Sequence, residues 1–178
     1  GGLIYFDKKP VTKELEKMQG ALKLYGRDSQ KIWKQGHVGL LSTLNRVMAE
    51  DAFDRQPWVY HQYHLVADCR IDNRDELIKA LDIDPIEAKV MSDSQYILKA
   101  YEKWKEECVH HLMGDYAFAV WDAKKEQLFL ARDPIGNKPL VWYQKNDLFA
   151  FASMPKGLFC LPFIPQEINE DRLLDHIA

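Results

Sequence analysis

Cysteine is scarce in this sequence. Cys69, Cys108 and Cys160 are odd in number and far apart. No CxxC pair exists, so zinc and thioredoxin-like readings fit poorly, and reduced thiols packed in the core of a cytoplasmic protein are expected. Long apolar runs are missing too. Nothing approaches the roughly 20 apolar residues of a membrane helix, and no secretory leader is expected from the opening residues. Basic charge is not in excess: 24 Lys and Arg stand against 27 Asp and Glu, for a net charge of -3. Phosphate backbones need a clustered basic surface, so nucleic acid is not the expected partner. Repeats, low-complexity tracts and linkers rich in Gly, Pro or Ser are also absent. The 178 residues therefore read as one domain with room for a sizeable core.

What is there is periodicity. Leu3 to Phe6 predicts a short buried strand. Val11, Leu15, Met18, Leu22 and Tyr25 recur at helical spacing, with Gly26 as the stop. His37 to Leu44 predicts a strand, and residues 45–58, without a clear period, predict a loop ending at Gln56-Pro57. Tyr63, Leu65, Ala67, Cys69 and Ile71 alternate as a strand with one buried face. Asn73 and Glu76 predict a capped helix with Leu77, Ile78 and Leu81 inward, and Ser92 with Gln95 repeats the capping pattern before Ile97, Tyr101, Trp104 and Cys108. From Asp115 the period becomes two. Tyr116–Trp121, Gln127–Ala131, Leu140–Tyr143 and Leu148–Ala152 read as four strands of one antiparallel meander. Trp121, Trp142 and Phe151 are expected in the sheet core. A short helix is expected from Asn169. Segregated helices and antiparallel strands predict an α+β layered domain, not a Rossmann alternation.

Three stretches resemble the front half of asparagine synthetases. They are Ala67-Asp68-Cys69-Arg70-Ile71-Asp72-Asn73-Arg74-Asp75-Glu76-Leu77, Ser92-Asp93-Ser94-Gln95, and Gly114-Asp115-Tyr116-Ala117-Phe118-Ala119-Val120-Trp121-Asp122 followed by Ala131-Arg132-Asp133-Pro134-Ile135-Gly136-Asn137-Lys138-Pro139-Leu140. The resemblance implies a class II glutamine amidotransferase domain with the four-layer αββα fold of N-terminal-nucleophile hydrolases and two antiparallel sheets. It assigns residues 1–165 to that domain and 166–178 to the start of a connection to a synthetase domain. The first stretch looks most like relatives that close amide or lactam rings, including lasso-peptide cyclases.

In working members an N-terminal Cys attacks the glutamine amide, an Arg grips the substrate carboxylate, Asn and Gly form the oxyanion hole, and an Asp takes the substrate amine. Gly1 and Gly2 offer no nucleophile, and the family's Cys would fall just before Gly1. Thr43 stands where the gripping Arg is expected, and a neutral hydroxyl cannot form the charge-assisted fork. Arg46 lies three residues on, where strand alternation would turn it to the other face. Asp68 and Cys69 replace the Asn-Gly pair, and an ionised Asp repels a developing oxyanion. Asp93 matches the family, although a carboxylate there also suits a helix N-terminus. Gly114, Asp115, Arg132, Asp133, Gly136 and Pro139 are kept as fold motif, with Gly136 expected in a turn and Arg132 with Asp133 as a local ion pair. His61 and His64 are expected to face opposite ways, His110-His111 lacks ligand partners, and no metal site is expected.

No Ser-Gly-Gly-x-Asp-Ser or Walker-type segment occurs. ATP and magnesium are thus expected only in a separate synthetase domain, and no cofactor in this chain. The sequence predicts a degenerate, non-catalytic amidotransferase-like domain of an ATP-dependent amide-forming ligase. Its expected partners are the synthetase domain in cis or trans, a small-molecule or peptide substrate, and a second copy as homodimer; membrane is not among them. The alternatives are an active domain whose N-terminal Cys precedes Gly1, or a stand-alone binding module.

Overall fold

The computed structural model describes residues 1–167. The predicted helix from Asn169 and most of the 166–178 connection lie outside the described residues.

Nine strands form two antiparallel sheets among the described residues. They are β1 (Gly2–Tyr5), β2 (Ser29–Gln35), β3 (Val38–Leu44), β4 (Trp58–Tyr60), β5 (Tyr63–Ile71), β6 (Gly114–Asp122), β7 (Gln127–Arg132), β8 (Val141–Lys145) and β9 (Leu148–Ala152). One sheet runs β2-β3-β1-β9-β8 and the other β4-β5-β6-β7. The helices are α1 (Lys13–Leu22), α2 (Arg74–Ala80), α3 (Pro85–Ala88), α4 (Asp93–Trp104) and α5 (Lys156–Phe159).

Strand alternation builds the layers. Ile4, Val38, Leu40 and Phe151 of the first sheet meet Val66, Ala119 and Trp121 of the second. The odd-numbered neighbours Leu3 and Leu41 point the other way, against Leu15, Met18 and Leu22 of α1 and Leu158 of α5. On the second sheet, Tyr63, Leu65, Tyr116, Phe118 and Val120 pack with Leu77 of α2 and Ile97, Ala100 and Tyr101 of α4. The result is helix, sheet, sheet, helix, as expected. Each fully buried Leu or Phe contributes about 1.5–3 kcal/mol, whereas an exposed ion pair contributes about 0–1. The apolar layers therefore hold the fold, and half-exposed pairs such as Lys8–Glu126 are secondary.

Several expectations need correction. The last four strands are not one meander. The β6–β7 hairpin belongs to the second sheet and the β8–β9 hairpin to the first, with β9 paired to β1. Period two reports which face a residue takes, not which sheet receives the strand. The loop over 45–58 contains a 3-10 turn at Ala49–Phe53, a cis Gln56-Pro57 bond and the start of β4. Helical structure does not run evenly to Cys108: α4 stops at Trp104, Lys105 has φ 54°, and a 3-10 turn follows. Asn73 precedes α2 without capping it. Its amide instead spans Glu76 and the His111 carbonyl, and its oxygen accepts the Met113 N–H. The Ser92–Gln95 capping box forms as expected. Trp121 and Phe151 are buried, but Trp142 is 63% exposed at the β8 edge.

Arg132 and Asp133 make no ion pair with each other. The Asp133 carboxylate accepts the backbone N–H groups of Gly136 (2.6 Å), Asn137 (2.9 Å) and Lys138 (3.0 Å). These bonds hold its carboxyl at about 2, the Lys138 amide being the largest cause. Gly136 takes φ 79° in this turn, and a Cβ there would sit 3.2 Å from the Arg132 guanidinium. Gly114 has φ 137°, and a Cβ would collide with the Arg70 carbonyl. At both positions a side chain would strain the backbone. Asp115 receives the Asn137 side-chain amide at 2.8 Å, tying the turn to β6.

Candidate functional site

A cavity of about 620 Å³ opens at one end of the two sheets. That volume suits a small-molecule ligand. Gly1, Thr43, Asp68, Cys69 and Asp93 all line it, so the fold gathers every pocket position singled out in the sequence. Pro139 joins them, while the rest of the fold motif lies away from the cavity. Gly1 enters because β1 is the central strand of its sheet. Its nitrogen donates to the Leu41 carbonyl at 2.9 Å and its carbonyl accepts the Leu41 N–H at 2.8 Å.

Asp93 is the first residue of α4 and is buried. Its two oxygens are engaged by Arg74 Nε at 2.6 Å and by the Ile71 N–H at 3.0 Å. Arg74 also reaches Glu50 at 2.8 Å. The Asp93 hydrogen bond, followed by the Glu50 bond against the cost of burial, pushes the Arg74 guanidinium further into its charged form. Asp93 thus sits at the N-terminus of α4 with a cation already on its carboxylate.

Asp68 stands on β5, exposed, with its carboxylate 2.7 Å from Lys138 Nζ. The Asp133 turn delivers that lysine. Cys69 packs with the α4-side core. Loss of hydration, then the Asp93, Asp54 and Asp68 carboxylates, raises its thiol well above the usual range, the opposite of an activated nucleophile. Cys108 is buried and pushed up to about 12, chiefly by burial. Cys160 is half-buried, with its thiol against the Gly157 carbonyl. Only Cys108 fully meets the expectation of a buried thiol.

Part of the cavity wall is a polar cluster that the sequence did not flag. Asp54 accepts from Gln56 (2.9 Å), Ser94 (3.0 Å) and the Trp58 indole (3.1 Å), and Gln56 accepts the Ala67 N–H at 2.5 Å. It staples the 45–58 loop to α4 and β5.

Arg46 lines the cavity. The expectation that alternation turns it away fails because β3 ends at Leu44. Its backbone N–H is held by Asp28 at 2.7 Å, and among the described residues its guanidinium has no partner. Lys138 and Arg74 are cations that sequence reasoning did not single out, although both sit inside the quoted motifs. Their spacing to Asp68 and Asp93 is hidden by long separations along the chain.

Elsewhere, His61 lies in the turn before β5 at φ 51°, and His64 stacks on Trp33 at 3.9 Å between the sheets. His110 lies 3.6 Å from Glu107 alone. Among the described residues no three His, Cys, Asp or Glu side chains gather to hold a metal, and no helix is long and apolar enough to cross a membrane.

The whole chain, residues 1–178, matches the family described as glutamine amidotransferase domain. It is 30% identical to glutamine-hydrolyzing asparagine synthetase 3 of Bacillus subtilis strain 168, over 97% of this chain and 29% of that protein. It is 29% identical to putative glutamine-hydrolyzing asparagine synthetase 2 of Methanocaldococcus jannaschii, over 96% of this chain and 37% of that protein. The chain thus spans well under half the length of these relatives. Among solved structures, glutamine phosphoribosylpyrophosphate amidotransferase from B. subtilis, complexed with ADP and GMP, superposes with a TM-score of 0.69 at 14% identity. The match covers 89% of this chain and 42% of that one, and agrees with an N-terminal-nucleophile hydrolase fold. Two antiparallel sheets between helical layers, and a match along its full length, place this chain in the family of class II glutamine amidotransferase domains related to asparagine synthetases.

Proposed function

We propose that this domain keeps the amidotransferase cavity but does not hydrolyse glutamine, and that it serves a longer ATP-dependent amide-forming ligase as a stabilising and ligand-holding module. The observation that carries this reading is the Asp68–Lys138 ion pair at 2.7 Å. An anion stands where the reaction needs proton donors for a developing oxyanion, and losing one such donor alone costs about 10²–10³ in rate. Thr43 adds no guanidinium, and Asp93 is already neutralised by Arg74. Cys69 is the one thiol lining the cavity among the described residues, and it is driven toward its inert form.

The resemblance of the Asp72-Asn73-Arg74-Asp75-Glu76-Leu77 segment to relatives that close amide or lactam rings supports a ligase that joins an internal amine, or free ammonia, to an activated carboxylate. ATP and magnesium would belong to the synthetase partner, in cis or trans, and the reduced cysteines suit the cytoplasm. The test is release of glutamate and ammonia from glutamine by the protein at its full encoded length. No release above the uncatalysed rate is expected. Turnover that a thiol-alkylating glutamine analogue abolishes would overturn the proposal.

One observation favours an active enzyme instead. Gly1 stands at the cavity wall, so a Cys encoded just before it would emerge there. The coding sequence upstream of Gly1 discriminates the two readings, and the same hydrolysis assay decides between them.

A further inference from the structure

Among the described residues the two sheets leave four edge strands, β2, β8, β4 and β7. Three of them carry ordinary protection against further pairing. β2 holds Lys31 and Lys34, β4 is three residues long, and β8 runs out into Gln144 and Lys145. β7 has no such protection: its centre reads Leu128-Phe129-Leu130-Ala131, without charge or proline. These four residues are half-buried, whereas their neighbours on β6 are buried. Leu128 and Leu130 border the core between the sheets, and Phe129 and Ala131 border the core under the helices.

The backbone of β7 is open as well. The Asp133 N–H donates to the Tyr116 carbonyl at 2.7 Å, one step beyond the Ala117–Arg132 pair. Bonded and non-bonded pairs alternate along antiparallel strands. Gln127, Phe129 and Ala131 therefore bond to β6, while Leu128, Leu130 and Arg132 turn their N–H and C=O groups outward. Among the described residues no backbone partner reaches those groups. Charge marks both ends of the strand. Lys124 and Lys125 precede it and Arg132 closes it, all three exposed. The nearby carboxylates are taken: Glu126 by Lys8, Asp122 by the Lys124 and Lys125 amides, and Asp133 by its own turn.

We propose that β7 is a docking edge whose occupant is an extended segment of another polypeptide, apolar in its middle and acidic at both ends, added to the second sheet as a further strand. Its backbone pairs with the three outward residues, its apolar side chains extend the two half-exposed core layers, and its acids meet Lys124, Lys125 and Arg132. A second copy of this chain suits the edge poorly. Antiparallel pairing of β7 with itself sets Lys124 and Lys125 of one copy beside Arg132 of the other, and like charges across strands repel. No residue of β7 lines the cavity, so this docking is independent of whether glutamine is hydrolysed.

The test is fluorescence-anisotropy titration of the full-length protein with a labelled peptide, Glu-Glu-Val-Thr-Val-Thr-Val-Glu-Glu. Saturable binding tighter than about 1 mM is expected. The same peptide with every core amide N-methylated cannot pair as a strand, and is expected to bind at least about tenfold more weakly. Leu130→Pro removes one outward N–H and leaves the bonds to β6, and is expected to weaken the peptide about tenfold. A thermal melt checks that this variant folds. Lys124→Glu combined with Lys125→Glu, in an exposed turn, gives a second measure: the acidic peptide weakens at least about tenfold and a lysine-flanked counterpart gains. No saturation below about 1 mM, full affinity of the N-methylated peptide, or unchanged affinity in either folded variant would each overturn the proposal. A concentration-dependent dimer that Leu130→Pro dissolves would overturn it too, by giving the edge to a second copy.

Discussion

Two acidic corners of one cavity are treated in opposite ways. At Asp93 the carboxylate is 9% exposed and locked by Arg74, itself tied to Glu50. At Asp68 the carboxylate is 51% exposed and meets a lysine carried in by a turn. The first corner is stapled into the α2–α4 layer, so its charges cannot part without leaving one buried. The second is bathed by water, so its partners can separate cheaply. A neutralised acid is thus either a structural rivet or an adjustable ligand contact, and exposure decides which.

The comparison breaks most visibly at Arg74. Arg74→Met leaves Asp93 beneath the surface with one backbone donor, and a loss of about 2–4 kcal/mol is expected, read as a lowered urea midpoint. Adding Asp93→Asn to that variant should restore part of the loss. Strict additivity of the two changes would show that the corner is not a coupled pair.

The next largest effect concerns the turn that serves the open corner. Asp133 has a folded carboxyl at about 2, below its ordinary value of about 4. A depressed pKa contributes stability that is fully present above the unfolded value and is lost as pH falls through the folded one. The contribution should therefore fade between about pH 4 and pH 2. Asp133→Asn should lower the melting temperature at pH 7 and flatten this acid limb. An unchanged limb would mean the turn does not hold Asp133 as described.

Reactivity gives a smaller effect. Cys69 should react with a thiol reagent at neutral pH far more slowly than a free cysteine, because its thiol is raised by burial and by three carboxylates. Labelling of Cys69 at the free-thiol rate, followed by peptide mass spectrometry, would contradict this. The smallest change is expected for Lys138→Ala, less than about 1 kcal/mol in stability, since its ion pair is half in water. A loss as large as that of Arg74→Met would erase the distinction between the two corners.

Much of the fold was legible because it is written locally. β5 spans Tyr63–Ile71 as its alternation predicts, and the Ser92–Gln95 box opens α4 where expected. β2 left no signal: its Ser-Gln-Lys-Ile-Trp-Lys-Gln sequence is an edge strand with two apolar residues, too polar to announce a buried face. The site was half legible. Resemblance found Thr43, Asp68, Cys69 and Asp93, while Arg46, Lys138 and Arg74 acquire meaning only through what they meet or fail to meet.

The sequence by itself determined most of the strands, the helices α1, α2 and α4, their inward faces and the replaced residues of the glutaminase pattern, because propensity, period and side-chain identity are local properties. Only the tertiary structure decided that the last four strands divide between two sheets, that β1 lies between β3 and β9, and that Asp93 and Asp68 each meet a cation. Those are pairings between distant segments. They are fixed by the burial of shared apolar faces, and no stretch of chain carries them alone.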